Sequence, residues 1–299
     1  MKVRSKEVLS SLDFGKKFTP EDSKHLKEIQ MMIMDDVDFL CKKYNLHYSL
    51  CFGTLLGAVR HHGYIPWDDD IDICLPSFEI NDLMLNLSKE FGEKYFFAGY
   101  GIDEDPCVCL KVCLSGTEYL DYDMVGTGFK RGISIDVFPI IPLSSDIKTV
   151  VKTEKKLRNL THRISLASEW KWKRIAFLKS DNKKVKRYYM MRRLAGFFAS
   201  FAGYKTMLKK RQKMLKSSVN NYSDNSNCLI GFNQRIKTEC LKASESVDLI
   251  DYKFEDRTYK GFKNSDKFLS FHFGRDYMKL PPVEKREKHS AYKVDFGNY

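Results

Sequence analysis

Residues 51–73 read CFGTLLGAVRHHGYIPWDDDIDI, and they carry the strongest fold signal in this 299-residue chain. Alternating large and small side chains predict a strand over 48–52. Gly53 and Thr54 break that strand, and one or two helical turns follow. After a loop, a second strand is predicted over 70–75. The segment therefore predicts two short strands separated by a short helix.

Three acidic residues are the candidate metal ligands. Side chains alternate between the two faces of a strand, so Asp70 and Asp72 point one way while the neighbouring isoleucines point into the core. Asp136 lies in the run 134–138, where apolar residues flank it in the same alternating pattern. If this strand lies beside the first, the three carboxylates meet at one place.

Carboxylates that lie side by side repel each other, and a divalent cation removes that cost. Ligands that are all oxygen favour Mg²⁺ or Mn²⁺ over zinc. Three carboxylates can hold two ions about 4 Å apart, the arrangement that clamps the attacking and leaving oxygens in phosphoryl transfer. We therefore predict two metal ions at these residues. A solvated acidic loop or a calcium-type surface site is the alternative, which the core-facing isoleucines disfavour.

A phosphate site is predicted immediately after the first strand. Backbone N–H groups at Gly53 and Thr54, where a helix opens, can bind a phosphate together with the threonine hydroxyl. The glycine lets the phosphate approach closely. Arg60 and Lys111 are the candidate cationic partners of such an anion. An ordinary turn is the alternative for this pair of residues.

Further elements follow from periodicity and from breaker residues. Thr19 as N-cap, followed by a proline and apolar residues at helical spacing, predicts a helix over 20–44. Strands are predicted over 108–114 and 132–139, with Pro139 and Pro142 closing the second one. A short helix is predicted over 265–273.

The composition is that of a soluble protein. Apolar residues make up 43% of the chain and charged residues 30%, and the formal net charge is +12. No apolar run follows the charged N-terminus, so we expect a cytoplasmic protein with reduced cysteines. A zinc site formed by Cys107, Cys109 and Cys113 is an alternative whose spacing does not match a standard knuckle.

The basic excess lies within residues 148–216. This segment has 22 Lys and Arg residues and three acids, a net charge of +19, so the rest of the chain carries −7. The pattern is mostly helical, with aromatic residues interleaved. We predict that it binds an anionic acceptor or the inner membrane face. A solvated helical surface and an RNA-binding surface are the alternatives. The sequence has no recognisable RNA-binding module, which disfavours RNA binding.

The segment 51–73 closely resembles the signature of the LicD family, which comprises phosphocholine transferases and relatives such as fukutin-related protein. The run 135–139 (IDVFP) resembles the family's third acidic position. Residues 273–282 (FGRDYMKLPP), followed by His289, resemble its C-terminal motif. The resemblance covers about 24–142 and 251–289. It does not extend to the basic segment.

The resemblance implies transfer of phosphocholine, or a similar phospho-alcohol, from CDP-choline or another CDP-alcohol to a sugar hydroxyl of a surface glycan or its lipid-linked precursor. Asp70 and Asp72 would then hold the metals, and Asp136 would hold one and take the acceptor's proton. Gly53 and Thr54 would hold donor phosphates. A nucleotidyltransferase that moves a nucleoside monophosphate to a small acceptor or to RNA is the alternative. A non-catalytic binding module is disfavoured by the three acids.

A quaternary ammonium group binds aromatic faces, so aromatic residues near these motifs are candidates for the donor site. They are Trp67, Tyr277, Tyr64 and Phe138. Packing in the core is the alternative function of these rings.

The resemblance also implies an α+β fold with a nucleotidyltransferase-like core, a small mixed sheet flanked by helices. We predict a catalytic core over 1–147, a basic helical insertion over 148–227, and a part over 228–299 that completes the catalytic domain.

Overall fold

The computed structural model describes residues 18–121, 124–172, 182–219, 223–231, 241–286 and 291–299. Within these residues the chain forms helices around a mixed β-sheet, which confirms the predicted α+β class. The helices are α1 (Pro20–Tyr44), α2 (Phe52–His61), α3 (Ile80–Phe91), α4 (Ile147–Lys171), α5 (Lys183–Ser200), α6 (Tyr204–Val219), α7 (Ala243–Ser246) and α8 (Ser265–Phe273).

The strands of the described residues form two sheets. Their bounds are β1 (Ser49–Leu50), β2 (Asp72–Pro76), β3 (Tyr95–Gly99), β4 (Leu110–Leu114), β5 (Glu118–Leu120), β6 (Ser134–Ser144), β7 (Asn227–Ile230), β8 (Leu249–Phe254), β9 (Arg257–Phe262) and β10 (Lys293–Asp295). The main sheet has the order β3-β4-β6-β2-β1-β9-β8, with β7 also paired to β6. Strands β5 and β10 form the small second sheet.

Helix α1 begins and ends where the sequence predicts. The Thr19 hydroxyl accepts the N–H of Asp22, and the Asp22 carboxylate accepts the N–H of Thr19, so both residues cap the first turn. Asn45 ends the helix in the left-handed conformation. The apolar stripe of α1 is buried in the core that the main sheet shares.

Strand β6 is longer than the sequence predicts, and the expectation that Pro139 and Pro142 close it is wrong. The strand runs on to Ser144 because two partners follow one another along it: β2 pairs with it from Asp136 to Ile140, and β7 pairs with its other edge from Ile140 to Ser144. A proline adopts extended backbone and removes only one donor. The register shifts just after Pro142, an irregularity that accommodates it.

The first predicted strand is shorter than expected. Only Ser49 and Leu50 pair as β1, because Phe52 already begins α2. Gly53 and Thr54 therefore lie inside the first helical turn. The β-region conformation of Cys51 and its N–H bond to the Asp72 carbonyl fix where the helix begins.

The basic segment is helical in its described residues, as predicted. Helices α4 and α6 cover the second half of β6 and strand β7 through a small apolar cluster. A further cluster joins α4 to α6. Strands β8 and β9 extend the main sheet next to β1. The division of the chain at 147/148 and 227/228 stays a prediction.

Helix α8 packs against the start of α2 through aromatic rings. The His272 ring lies edge-on to Phe52, with 4.9 Å between ring centroids, and also packs against Phe268. Burial lowers the pKa of His272 from its ordinary value of 6.5 to about 4. A proton on this imidazole therefore weakens the packing of α8 on α2.

We expect acid to destabilise the protein partly through His272. The folded state binds this proton less tightly than the unfolded chain, so the contribution is fully present above pH 6.5 and is lost as pH falls toward 4. The wild type should lose about 2 kcal/mol of unfolding free energy more than His272→Gln over this range. Urea unfolding measures both slopes. His162→Gln, on the exposed side of α4, is the control, and equal slopes for wild type and His272→Gln would contradict the expectation.

Candidate active site

The strand register brings the predicted acidic residues together. Strands β2 and β6 are parallel, and Asp72 lies directly opposite Asp136. Strand β4 runs antiparallel on the other side of β6 and places Lys111 opposite Asp136. Asp70 lies two residues before the start of β2, outside the strand. Four side chains from distant parts of the sequence thus meet at the beginning of β2 and β6.

Lys111 and Asp136 form an ion pair within this site. The Lys111 Nζ donates to Asp136 Oδ1 at 2.6 Å and to Oδ2 at 2.8 Å. The two side chains are only 18% and 22% exposed. Burial lowers the pKa of Lys111, but Asp136 together with Cys109, Cys107 and Asp121 raises it further, so the pKa is held well above the ordinary value. Lys111 is therefore a cation that holds Asp136 in place.

Asp72 lies in an environment that disfavours its charge. Its pKa is raised well above the ordinary value by burial and then by neighbouring carboxylates, against which Lys111 acts only weakly. The carboxylates that raise it, in decreasing order, are those of Asp70, Asp136 and Asp68. Two unit charges 4 Å apart repel by about 4 kcal/mol at an effective dielectric constant of 20. A bound cation would remove this cost.

The residues fit a divalent metal by donor type. All four acids offer hard carboxylate oxygens, the ligands that Mg²⁺ and Mn²⁺ prefer. In the part of the chain that the structure describes, however, no three His, Cys, Asp or Glu side chains form a ready-made metal site. The prediction that Asp70, Asp72 and Asp136 bind a metal thus rests on their proximity and on the chemistry of carboxylate oxygens.

Thr54 holds the backbone of Asp72 in place. Its hydroxyl accepts the backbone N–H of Asp72 at 2.8 Å, and its side chain is 3% exposed. The Cys51 N–H also donates to the Asp72 carbonyl oxygen. Residues at the start of α2 therefore bind both the N–H and the carbonyl group of Asp72. The hydroxyl that was predicted to face a phosphate therefore faces β2.

Gly53 lies against the carboxylate of Asp68. A Cβ added at position 53 would lie 2.6 Å from Asp68 Oδ2, so a larger residue there would displace the acid. The end of α2 nearest Gly53 is its N-terminus, which favours negative charge. The Asp68 carboxylate therefore lies beside Gly53, one of the two residues where the sequence predicts a phosphate site.

Arg60 connects α2 to the C-terminal motif. Its Nη1 donates to the carbonyl oxygen of Tyr277 at 2.7 Å, and the Tyr277 hydroxyl donates to Asp266 Oδ1 at 2.9 Å. Burial lowers the pKa of Arg60. The predicted donor-binding residues Arg60 and Tyr277 thus contact each other, and Arg60 holds the 273–282 motif beside α2.

The candidate aromatic rings are distributed around this region. The guanidinium of Arg286 lies over the Trp67 ring, 4.4 Å from its centroid, and His61 meets the ring edge-on. Lys27 lies over the buried Tyr64 ring, 4.5 Å from its centroid. Phe138 packs edge-on against Phe52. Trp67 and Tyr64 already bind cations of the protein itself through their faces.

A pair of thiols lies at the site, and one of them contacts Asp136. The sequence does not predict this position for either thiol. Cys107 and Cys109 have their Sγ atoms 3.2 Å apart, and the Cys109 thiol donates to Asp136 Oδ2 at 3.5 Å. Cys113 bonds instead to the Lys111 carbonyl. Cys107, Cys109 and Cys113 form no disulfide bond. The zinc alternative finds no support among the described residues.

Asp68 and Cys109 are thus the residues at this site that the sequence does not assign to it. Asp68 belongs to the run 68–70, and its position in that run was a usable signal. Cys109 had none, because only the pairing of β4 with β6 brings it to Asp136.

Residues 45–163 match the family model described as "LicD/FKTN/FKRP, nucleotidyltransferase domain". The chain is 27% identical over 270 residues to the lipopolysaccharide cholinephosphotransferase LicD of Haemophilus influenzae, covering 88% of this chain and 95% of that protein. It is 48% identical over 100 residues to an uncharacterized protein of Rickettsia prowazekii, covering 33% of this chain and 35% of that protein. The resemblance to the LicD family is confirmed.

We expect opposite stability effects from two neighbouring acids. Asp72→Asn removes one of the repelling carboxylates, so the unfolding free energy of the metal-free protein should rise by about 1 kcal/mol. Asp136→Asn leaves the buried Lys111 ammonium without its partner, so the unfolding free energy should fall by about 3 kcal/mol. Urea unfolding with a chelator measures both.

Asp82→Asn, in the exposed first turn of α3, is the control for loss of a carboxylate and should lower the unfolding free energy by less than about 1 kcal/mol, since only its interaction with the helix dipole is lost. Shifts of the same sign for Asp72→Asn and Asp136→Asn would show that the two acids share one environment, against this interpretation.

Proposed function

We propose, from the LicD-family domain that residues 45–163 carry, that this chain transfers phosphocholine or a related phospho-alcohol. The donor is a CDP-linked alcohol, and the acceptor is a hydroxyl of a cell-surface glycan or its lipid-linked precursor. The relative from Haemophilus influenzae, a lipopolysaccharide cholinephosphotransferase, supports the phosphocholine group and the glycan acceptor. The observation that carries the proposal is the placement of Asp72 opposite Asp136 within this domain.

The proposal includes a metal at the carboxylates. Asp70, Asp72 and Asp136 would hold Mg²⁺ or Mn²⁺, as two ions. When bound, such ions neutralise the charge that develops on a phosphoryl group during its transfer. Thr54 and Cys51 fix the backbone of Asp72, so its carboxylate is oriented before any ligand arrives.

Asp136 is the proposed acceptor of the proton. The glycan hydroxyl oxygen attacks the phosphorus of the phosphocholine group, the bond to CMP breaks, and the hydroxyl proton passes to the Asp136 carboxylate. Each carboxylate oxygen has two acceptor positions, so both remain usable while Lys111 donates to them. The products are a glycan phosphodiester and CMP.

Gly53 is the proposed contact for the donor phosphates. They would take the position at the start of α2 that the Asp68 carboxylate occupies, using backbone N–H groups of Gly53 and Thr54. A glycine is needed there because a side chain would meet the anion. Asp68 would then move away, which couples donor binding to the loop before β2.

Trp67 is the proposed contact for the ammonium group. Its ring already binds the Arg286 cation, which supports its capacity to bind another cation. Choline would compete with Arg286 for this ring. Phe138 and Tyr277 would complete the wall of the donor site.

The first experiment measures CMP release from CDP-choline with Mg²⁺ and a crude glycan extract. We expect release that requires the metal and the extract, and a loss of at least about 100-fold in Asp72→Ala because the cation site is removed. Asp82→Ala, an exposed acid outside the site, should match the wild type. Metal-independent release, or full activity in Asp72→Ala, would contradict the site assignment.

Two other outcomes would change the proposed donor. Release of CMP only from CDP-glycerol or CDP-ribitol would keep the reaction and change the alcohol. Pyrophosphate release from a nucleoside triphosphate, without CMP release from any CDP-alcohol, would favour the nucleotidyltransferase alternative.

The role of Trp67 is tested by comparing two donors. We expect Trp67→Ala to raise the KM for CDP-choline about tenfold, since a desolvated cation–π contact contributes about 1–2 kcal/mol. The KM for CDP-glycerol, which lacks an ammonium group, should change much less. Trp67→Phe keeps an aromatic face and should behave nearly as the wild type. Equal effects on both donors would assign Trp67 a packing role.

A further inference from the structure

Two arginines in the second half of helix α5 are turned toward α4 instead of toward water. Arg192 donates to Glu169 Oε1 at 3.1 Å and to the Ser165 hydroxyl at 3.3 Å, both on α4. The Arg193 guanidinium lies over the ring of Trp170, also on α4, 5.5 Å from its centroid. An ordinary surface helix turns such residues to water and its apolar residues to the core.

The outward side of α5 is apolar instead. Over its last three turns, the exposed side chains include large apolar ones that follow helical spacing. They are Met190 (64% exposed), Met191 (64%), Leu194 (59%), Phe198 (63%) and Phe201 (74%), the last at the C-cap. We call this set the α5 apolar face. If no partner covered this face, water would contact all five side chains.

Packing against α4 fixes this orientation. Gly196 is buried, and a Cβ added there would lie 2.2 Å from the carbonyl oxygen of Leu166, so the two helices cross with their backbones close together. Val185 is the other buried residue of α5. Rotating the helix to bury its apolar face would break the Arg192–Glu169 pair and move Gly196 out of the crossing. The exposure of this face is therefore built into the fold.

The surroundings of the α5 apolar face are strongly basic. The first two turns of α5 expose Lys183, Lys184 and Arg187, and helix α6, which follows α5 in the chain, exposes several lysines. The segment 148–216 has a net charge of +19. A partner that covers the apolar face must therefore offer negative charge around an apolar layer.

An anionic lipid surface has that combination. A basic helix with an apolar face lies in the plane of the interface, its apolar side chains among the acyl chains and its cations at the headgroups. At 1.5 Å per residue, the 18-residue helix extends along about 27 Å of surface. Among the described helices, none has both the length and the apolar composition to cross a bilayer.

A second copy of this chain is a poorer partner. Joining two α5 apolar faces would bring two segments of charge +19 together, which costs free energy at moderate salt. An anionic lipid surface attracts the basic segment instead, so the electrostatic contribution to binding is favourable.

We propose that the α5 apolar face docks on an anionic lipid bilayer. The docking holds the protein on the membrane surface without a spanning segment. Its consequence for catalysis rests on the proposed function, since an enzyme held there meets acceptors that the same membrane carries. The docking itself needs no substrate and is tested separately.

The test is flotation of the full-length protein with vesicles of phosphatidylcholine containing about 30% phosphatidylglycerol, with pure phosphatidylcholine as reference. We expect binding only to the anionic vesicles, weakened by salt. The double variant Leu194→Glu/Phe198→Glu should bind at least about tenfold more weakly. Leu85→Glu, which changes a side chain of 67% exposure on α3, is the matched control and should bind as the wild type.

Circular dichroism and thermal unfolding check that the variants fold, which their exposure predicts. No flotation of the wild type, or equal flotation of wild type and double variant, would overturn the proposal. So would a wild-type dimer that the double variant abolishes, because a second copy would then cover the face. CMP release with a soluble glycan fragment should be unchanged in the double variant, so loss of docking and failure of the proposed reaction are distinguishable.

Discussion

The placement of Asp72 opposite Asp136 on neighbouring parallel strands is the constraint on which the site depends. Burying several carboxylates together is unfavourable, and three surrounding features nevertheless hold them together. Lys111 neutralises Asp136 from the next strand. Thr54 binds the backbone of Asp72. Gly53 leaves room for Asp68 at a helix N-terminus. These contacts keep the carboxylates close together at one place, as a cation-binding site requires.

The remainder of the chain supports this centre from two directions. On one side, α8 and the 273–282 motif pack against α2 through His272 and Arg60, so the C-terminal part holds the helix that grips Asp72. On the other side, α4 and α6 cover the second half of β6, the strand that carries Asp136. A disturbance at either surface can therefore reach one of the two central carboxylates through a single element.

Local signals in the sequence predicted what local interactions determine. The limits of α1 follow from Thr19 and from apolar spacing, and the two central carboxylates follow from strand alternation. Contacts that depend on strand order were not predictable, and the Lys111–Asp136 pair joins residues 25 positions apart. The continuation of β6 beyond Pro139 depends on β7, a distant strand that pairs with it from Ile140 to Ser144. The orientation of α5 was hidden for a similar reason, since only the crossing at Gly196 decides which side faces α4.

The length of β6 has a further consequence for how this protein tolerates insertions and deletions. From Asp136 to Ser144 the strand spans about 26 Å at 3.3 Å per residue, and it joins the carboxylate centre to the helices that follow. Adding or deleting one residue between Asp136 and Ile140 would reverse which face each side chain takes relative to β2. Loops between the helices can vary in length without this effect. Among homologous chains, this strand should therefore keep a constant length while the helical connections diverge.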